Sequence, residues 1–145
     1  MVAASHLGFD DSRGDLYLTK NDHIAYRYEI LGLLGKGSFG QVCKCYDHKT
    51  KELVAVKIIR NKQRFQKQGL VEVKILDRIV QEDLGSDSSL VQVKDHFMFR
   101  SHLCFVFDHL GTNLYEWVKA GNFHGIHTHL INRYRCFDSG FAASF

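Results

Sequence analysis

Gly35-Lys36-Gly37-Ser38-Phe39-Gly40-Gln41-Val42 sets three glycines at G-x-G-x-x-G spacing ahead of a branched apolar residue. Glycine has no side chain and tolerates positive φ, so three at this spacing let a backbone bend sharply and lie close over a ligand. Backbone N–H groups in such a turn bind phosphate oxygens. The same spacing also joins hairpins that bind nothing, so its meaning rests on the segments either side.

Those segments read as strands. Tyr26–Leu34 is rich in aromatic and branched residues and runs into Gly35, and Val42–Tyr46 follows the glycines and closes on the polar turn Asp47-His48-Lys49-Thr50. The glycine stretch is therefore the turn of a β-hairpin. A dinucleotide-binding G-x-G-x-x-G instead opens a helix and is followed about 20 positions later by an acidic residue. Here the position 20 beyond Gly40 is Arg60, and no G-x-x-x-x-G-K-[ST] string of a P-loop occurs.

Leu53–Ile59 is predicted as a third strand, apolar except for Lys57. Alternation puts Ala55, Lys57 and Ile59 on one face and Val54, Val56 and Ile58 on the other. A lysine within such a strand either snorkels from a sheet edge or is paired. Arg64–Glu82 reads as a helix with Phe65, Gly69, Leu76, Ile79 and Val80 on one stripe, Leu70 and Val71 outside it, and Glu72 inside it. Lys57 and Glu72 are natural partners, each offsetting the other's burial, and a purely structural salt bridge satisfies that pattern too. Leu90–Phe99 and His102–Phe107 read as two more strands joined at Arg100-Ser101. Asp108–Thr112 is a polar break, and Leu114–Ala120 is a short helix capped by Asn113.

The 145 residues are the length of one domain or of part of a larger one. At 45% hydrophobic and 12% aromatic residues the chain can build a core. The net charge of +3 without a dense basic block gives no support to nucleic-acid binding. Proline is absent where average usage would give about seven, as if the chain sampled one part of a domain. Cys43, Cys45, Cys104 and Cys136 form no C-x-x-C pair, so buried thiols in a reduced, intracellular protein (cytoplasmic or nuclear) are expected. His124, His127 and His129 cluster without zinc-site spacing, and no metal site is expected. Neither a signal peptide nor a membrane-length apolar run occurs. Residues 1–21 read as a turn-rich leader that packs on the domain, with Asp10-Asp11-Ser12-Arg13-Gly14-Asp15 a tight loop and Leu16-Tyr17-Leu18 a short strand.

The ordered set of glycine hairpin, Val54-Ala55-Val56-Lys57 strand, Glu72 helix and two strands running into a break resembles the N-terminal lobe of a protein kinase. Asn21-Asp22-His23-Ile24-Ala25-Tyr26-Arg27-Tyr28-Glu29-Ile30, the Gly-Lys-Gly-Ser-Phe-Gly-Gln-Val loop, Lys57-Ile58-Ile59-Arg60-Asn61-Lys62 and Asn113-Leu114-Tyr115-Glu116 narrow the likeness to the dual-specificity tyrosine-regulated (DYRK) kinases. The acidic stretch Gly8–Lys20 is similar to the homology box that precedes the kinase domain in that family, and the likeness runs from about Gly8 to Gly125.

The resemblance implies an α+β lobe of five antiparallel strands and one long helix over residues 22–120, with an atypical, poorly ordered tail over 121–145. It implies ATP as ligand and protein hydroxyls as acceptors. The loop from Gly35 through Lys36, Gly37, Ser38 and Phe39 to Gly40 would cover the phosphates, Lys57 would contact them, and Glu72 would hold Lys57. Val42 and Ala55 would form the ceiling over adenine, Phe107 the gatekeeper, and Asp108-His109-Leu110 the hinge.

The departures are equally specific. The family's H-R-D-x-x-x-x-N loop supplies the catalytic Asp and a Mg²⁺-binding Asn, and its D-F-G Asp holds metal; none of these strings occurs here, and Asp138-Ser139-Gly140 is read as chance. From about His127 onward the sequence is unlike the family. A kinase lobe without catalytic residues, Mg²⁺ ligands or turnover is therefore expected. The alternatives are a non-catalytic nucleotide-binding or competitor module, and an unstable truncated product with an exposed apolar face.

Overall fold

In the computed structural model, residues 8–81, 93–110 and 119 are described. Six strands and one helix follow in the order β1 (His23–Ile24), β2 (Tyr28–Lys36), β3 (Gly40–Asp47), β4 (Glu52–Ile59), α1 (Gln63–Gln81), β5 (Val93–Phe99) and β6 (His102–Asp108). All pair antiparallel in one sheet of order β1-β2-β3-β4-β6-β5. Five of the strands and the helix are those expected. The sixth, β1, is two residues long, too short to show a period, and is fixed by burial of Ile24. The strand expected at Leu16-Tyr17-Leu18 is a single bridge, Asp10 to Leu16. Tyr26 has φ 57° and lies in the turn before β2, not in the strand.

Branched residues fall on both faces of β4, Val54, Val56 and Ile58 on one and Ile59 on the other, so that both faces are buried. Val54, Val56 and Ile58 join Cys43, Cys45, Tyr28, Ile30 and Val106 in one core, which Leu16 of the leader completes. Ile59 joins Phe65, Leu103, Phe105 and Phe107 in a second core beneath α1, with Ala55, Val73 and Leu76 partly buried against it. Phe65 and Gly69 face the sheet, whereas Leu70 and Val71 are more than half exposed, as the helical stripe requires. Cys43, Cys45 and Cys104 are free, buried thiols; burial raises the Cys104 pKa to about 12, which makes it unreactive. Among the described residues no helix is long and apolar enough to cross a membrane. The short helix expected at Leu114–Ala120 (Lys119 apart, which is helical), the tail, the histidines at 124, 127 and 129, and Asp138-Ser139-Gly140 lie outside the described residues.

Candidate functional site: a lysine–glutamate pair under a glycine turn

The site is set by strand register. Gly35 lies opposite Val42 in the β2–β3 pair, Val42 opposite Lys57 in the β3–β4 pair, and Lys57 opposite Phe105 in the β4–β6 pair. Directly opposed residues share a face of an antiparallel sheet, so these four form one row across four strands. Ala55 is two residues along from Lys57 on the same face and lies opposite Phe107. The glycine turn, the lysine and the proposed ceiling and gatekeeper positions are thus one contiguous patch.

Lys57 is not an edge residue. β4 lies between β3 and β6, and the Lys57 side chain is only 6% exposed. Snorkelling from an edge is excluded, and its charge is met by Glu72 from α1, with Nζ 3.5 Å from Oε2. The carboxylate is about a third exposed, so the pair sits at the mouth of the apolar layer and not within it.

The glycines have separate reasons. A Cβ on Gly40 would fall 2.1 Å from the carbonyl oxygen of Ile58, so close packing of β3 on β4 demands glycine there. A Cβ on Gly35 would meet nothing within 4 Å. The fold leaves Gly35 open space directly across from Val42, which suits a ligand lying over it.

Arg60 and the leader were missed as parts of this site. Arg60 donates through Nη1 to Ser38 O at 2.8 Å and through Nη2 to Gly37 O at 3.2 Å, and its backbone N–H donates to Phe39 O at 2.9 Å. Three successive loop carbonyls are thereby committed to one residue. The other edge of the guanidinium is held by both oxygens of Asp15 at 2.8 and 2.9 Å. Lys36 of the loop reaches Asp15 at 3.0 Å and Asp11 at 3.2 Å. Burial acts to raise the Asp15 pKa, but hydrogen bonds and charge from Arg60 and Lys36 outweigh it and hold the carboxyl below its usual range. The signal available in sequence was charge complementarity between the acidic Asp10–Asp15 loop and the basic residues flanking the hairpin. Phe39 turns back from the loop tip onto α1, edge-on to Phe65 with centroids 5.5 Å apart.

Asp108 ends β6 with its carboxylate 2.6 Å from Lys94, whose ammonium also contacts Glu52 at 2.9 Å. His109 is half-buried and Leu110 is 48% exposed. The Asp108 side chain is thus engaged away from the row, leaving backbone groups as what this segment could offer a planar heterocycle.

A polyphosphate fits these residues: a buried ammonium aimed by a carboxylate, a turn with open space over Gly35, and apolar Val42 and Ala55 alongside. Mg²⁺ does not. Hard cations need several oxygen ligands, the carboxylate beside Lys57 is Glu72, and it is engaged by the lysine.

The sequence matches the protein kinase domain over residues 28–134, and the chain belongs to the protein kinase family. Within it the likeness is to the DYRK kinases. The chain is 51% identical over 130 residues to human dual specificity tyrosine-phosphorylation-regulated kinase 4, covering 90% of this chain and 25% of that protein. It is 54% identical over 123 residues to the DYRK-family kinase pom1 of Schizosaccharomyces pombe, covering 85% of this chain and 11% of that one. With the Drosophila melanogaster dual specificity tyrosine-phosphorylation-regulated kinase 2 the identity is 46% over 130 residues, 90% of this chain and 18% of the relative. The chain therefore spans a quarter or less of the length of these curated relatives.

Proposed function

We propose that this chain is the ATP-clamping lobe of a DYRK-like serine/threonine or dual-specificity kinase, whose complete protein transfers the γ-phosphoryl group of ATP to protein hydroxyls. The observation that carries this reading is the Lys57–Glu72 contact of 3.5 Å in the same sheet row as Gly35 and Val42. In this reading the turn from Gly35 to Gly40 closes over the phosphates and the Lys57 ammonium meets them. Glu72 keeps Lys57 aimed, and Val42 and Ala55 lie against adenine. Phe107 limits the depth of the pocket, and the backbone of Asp108, His109 and Leu110 pairs with the base edge. ATP brings the transferable phosphoryl group.

Catalysis of phosphoryl transfer is positioning plus electrostatic stabilisation, and the acceptor-orienting Asp and the metal ligands come from the catalytic loop and D-F-G segments. These 145 residues contain neither string. Alone they bind ATP weakly and do not turn it over. A calorimetric titration with ATP and Mg²⁺, paired with a peptide phosphorylation assay, tests this. Weak or undetectable binding and no phosphopeptide are expected. Submicromolar affinity, or steady phosphorylation abolished by Lys57→Ala, would overturn it.

A further inference from the structure

We propose that His23, Glu29 and His48 form a binding site for a borderline divalent transition metal ion, with Zn²⁺ as the reference case. The three residues are far apart in sequence and are assembled by sheet register. His23 of β1 lies directly opposite Glu29 of β2, and His48 follows the last residue of β3, which pairs with Tyr28. Their ligand atoms all lie within 4.8 Å of one another.

His48 is held in place before any metal arrives. Its backbone N–H donates to Arg27 O at 3.1 Å. Its ring stands edge-on to Tyr46 at 5.1 Å and tilted by 35° to His23 at 5.4 Å. Its Nε2 is 2.7 Å from Glu29 Oε2. The nearby cation is already neutralised, since Arg27 is bonded to Asp47 and Asp95. Asp22, next to His23 and bonded to its backbone N–H, adds negative charge beside the cluster.

Two imidazoles and one carboxylate are the donor set of zinc and of cobalt, nickel and copper, whereas Mg²⁺ and Ca²⁺ take oxygen ligands. Metal–ligand distances of about 2.0–2.1 Å bring ligand atoms to roughly 3.3 Å apart. The widest separation must therefore shrink by at most about 1.5 Å and the His48–Glu29 hydrogen bond must open. His23 and His48 are exposed, so side-chain rotations of that size meet solvent and not the core, and water completes the fourth position. A bound ion would join β1, β2 and the end of β3 at the opposite end of the hairpin from the glycine turn. This site is independent of the nucleotide reading.

The test uses the full 145-residue chain stripped with chelator and titrated with Zn²⁺ alone, followed by calorimetry and thermal unfolding. One equivalent of Zn²⁺ is expected to bind, with a rise in unfolding midpoint of about 5–10 °C at a hundredfold excess over Kd. His23→Ala, Glu29→Gln and His48→Ala should each weaken binding by about tenfold or more. In the unaltered protein Co²⁺ should broaden the ring resonances of His23 and His48 before those of the other seven histidines, a readout that needs no variant to fold. Absence of binding at 100-fold molar excess would overturn the proposal. So would binding unchanged by these substitutions, or binding lost only on substituting His124, His127 and His129.

Discussion

Lys57 and Asp15 both bury a charge almost completely, with side chains 6% and 1% exposed, and they are held by different means. Lys57 meets Glu72 at 3.5 Å, long for an ion pair and partly wet. Exchanging such a lysine for an apolar side chain of similar volume removes a desolvation cost along with the attraction. Lys57→Met should therefore unfold in urea within about 1 kcal/mol of the parent while losing whatever nucleotide binding the parent has; a loss above ~3 kcal/mol would show that the pair serves the fold. Asp15 is different, because Arg60 and Lys36 both depend on it. Asp47 is similar: the Arg27 guanidinium, helped by Lys49 N–H and the Thr50 hydroxyl, holds its carboxyl far below the usual range. Both carboxyls have depressed folded pKa values, so the native state binds fewer protons than the unfolded chain. Their stabilisation is complete above the unfolded value of about 3.9 and is lost as pH falls through the folded values. Urea midpoints measured from pH 5 down to 2 should fall, with a shallower slope in Asp47→Asn. A midpoint constant to pH 2.5 would show that these pairs contribute nothing.

At the scale of elements, the β2–β3 hairpin and its contact with β4 divide the glycine motif into a packed glycine, Gly40, and an open one, Gly35. Gly40 has φ 157° and stands against the Ile58 carbonyl, so Gly40→Ala forces backbone apart and should cost about 2–4 kcal/mol. Gly35 faces open space, so Gly35→Ala should leave thermal stability within ~0.5 kcal/mol. Equal effects on unfolding would refute the division. The hairpin, the β4 lysine and the α1 glutamate were legible because alternation, helical period and glycine spacing are local signals. The two-residue β1 was not, since no period fits in it. In the sequence Arg60 excludes a dinucleotide fold and belongs to the DYRK-like Lys57–Lys62 stretch, and neither reading points to the loop it holds. Its partner Asp15 is 45 positions away and became visible only once β4 and the leader were side by side. The Lys57–Glu72 pairing was readable, whereas what anchors the glycine turn was not.

Over the whole molecule the sheet curls until its separated strands touch. β2 and β5 are not neighbours in the strand order, yet Tyr28 stacks on Phe97 with planes 2° apart and centroids at 5.5 Å. Arg27 Nη1 donates to Asp95 at 3.0 Å, and the Tyr28 hydroxyl is 3.2 Å from the same carboxylate. Burial chiefly raises the Tyr28 pKa, and the Asp95 charge adds to it, so the phenol stays protonated and donates. This closure covers the core formed by Val54, Val56, Ile58 and Cys45, leaving the opposite face for α1 and the Lys57 row. Two kinds of force act at the seam, and they can be separated. Tyr28→Phe keeps the stack and removes one hydroxyl bond, a loss of about 1 kcal/mol. Phe97→Ala removes the stack and opens the core to water, about 3 kcal/mol, discounted from a fully buried phenylalanine because Phe97 is only half-buried. Arg27→Ala strands the buried Asp47 carboxylate, which keeps Lys49 N–H and the Thr50 hydroxyl, and should cost about 2 kcal/mol. Urea unfolding of the three variants should rank them Phe97→Ala, Arg27→Ala, Tyr28→Phe from most to least damaging. If Tyr28→Phe proved the most damaging, the curl would be held by the hydrogen bond to Asp95 and not by apolar contact across the seam.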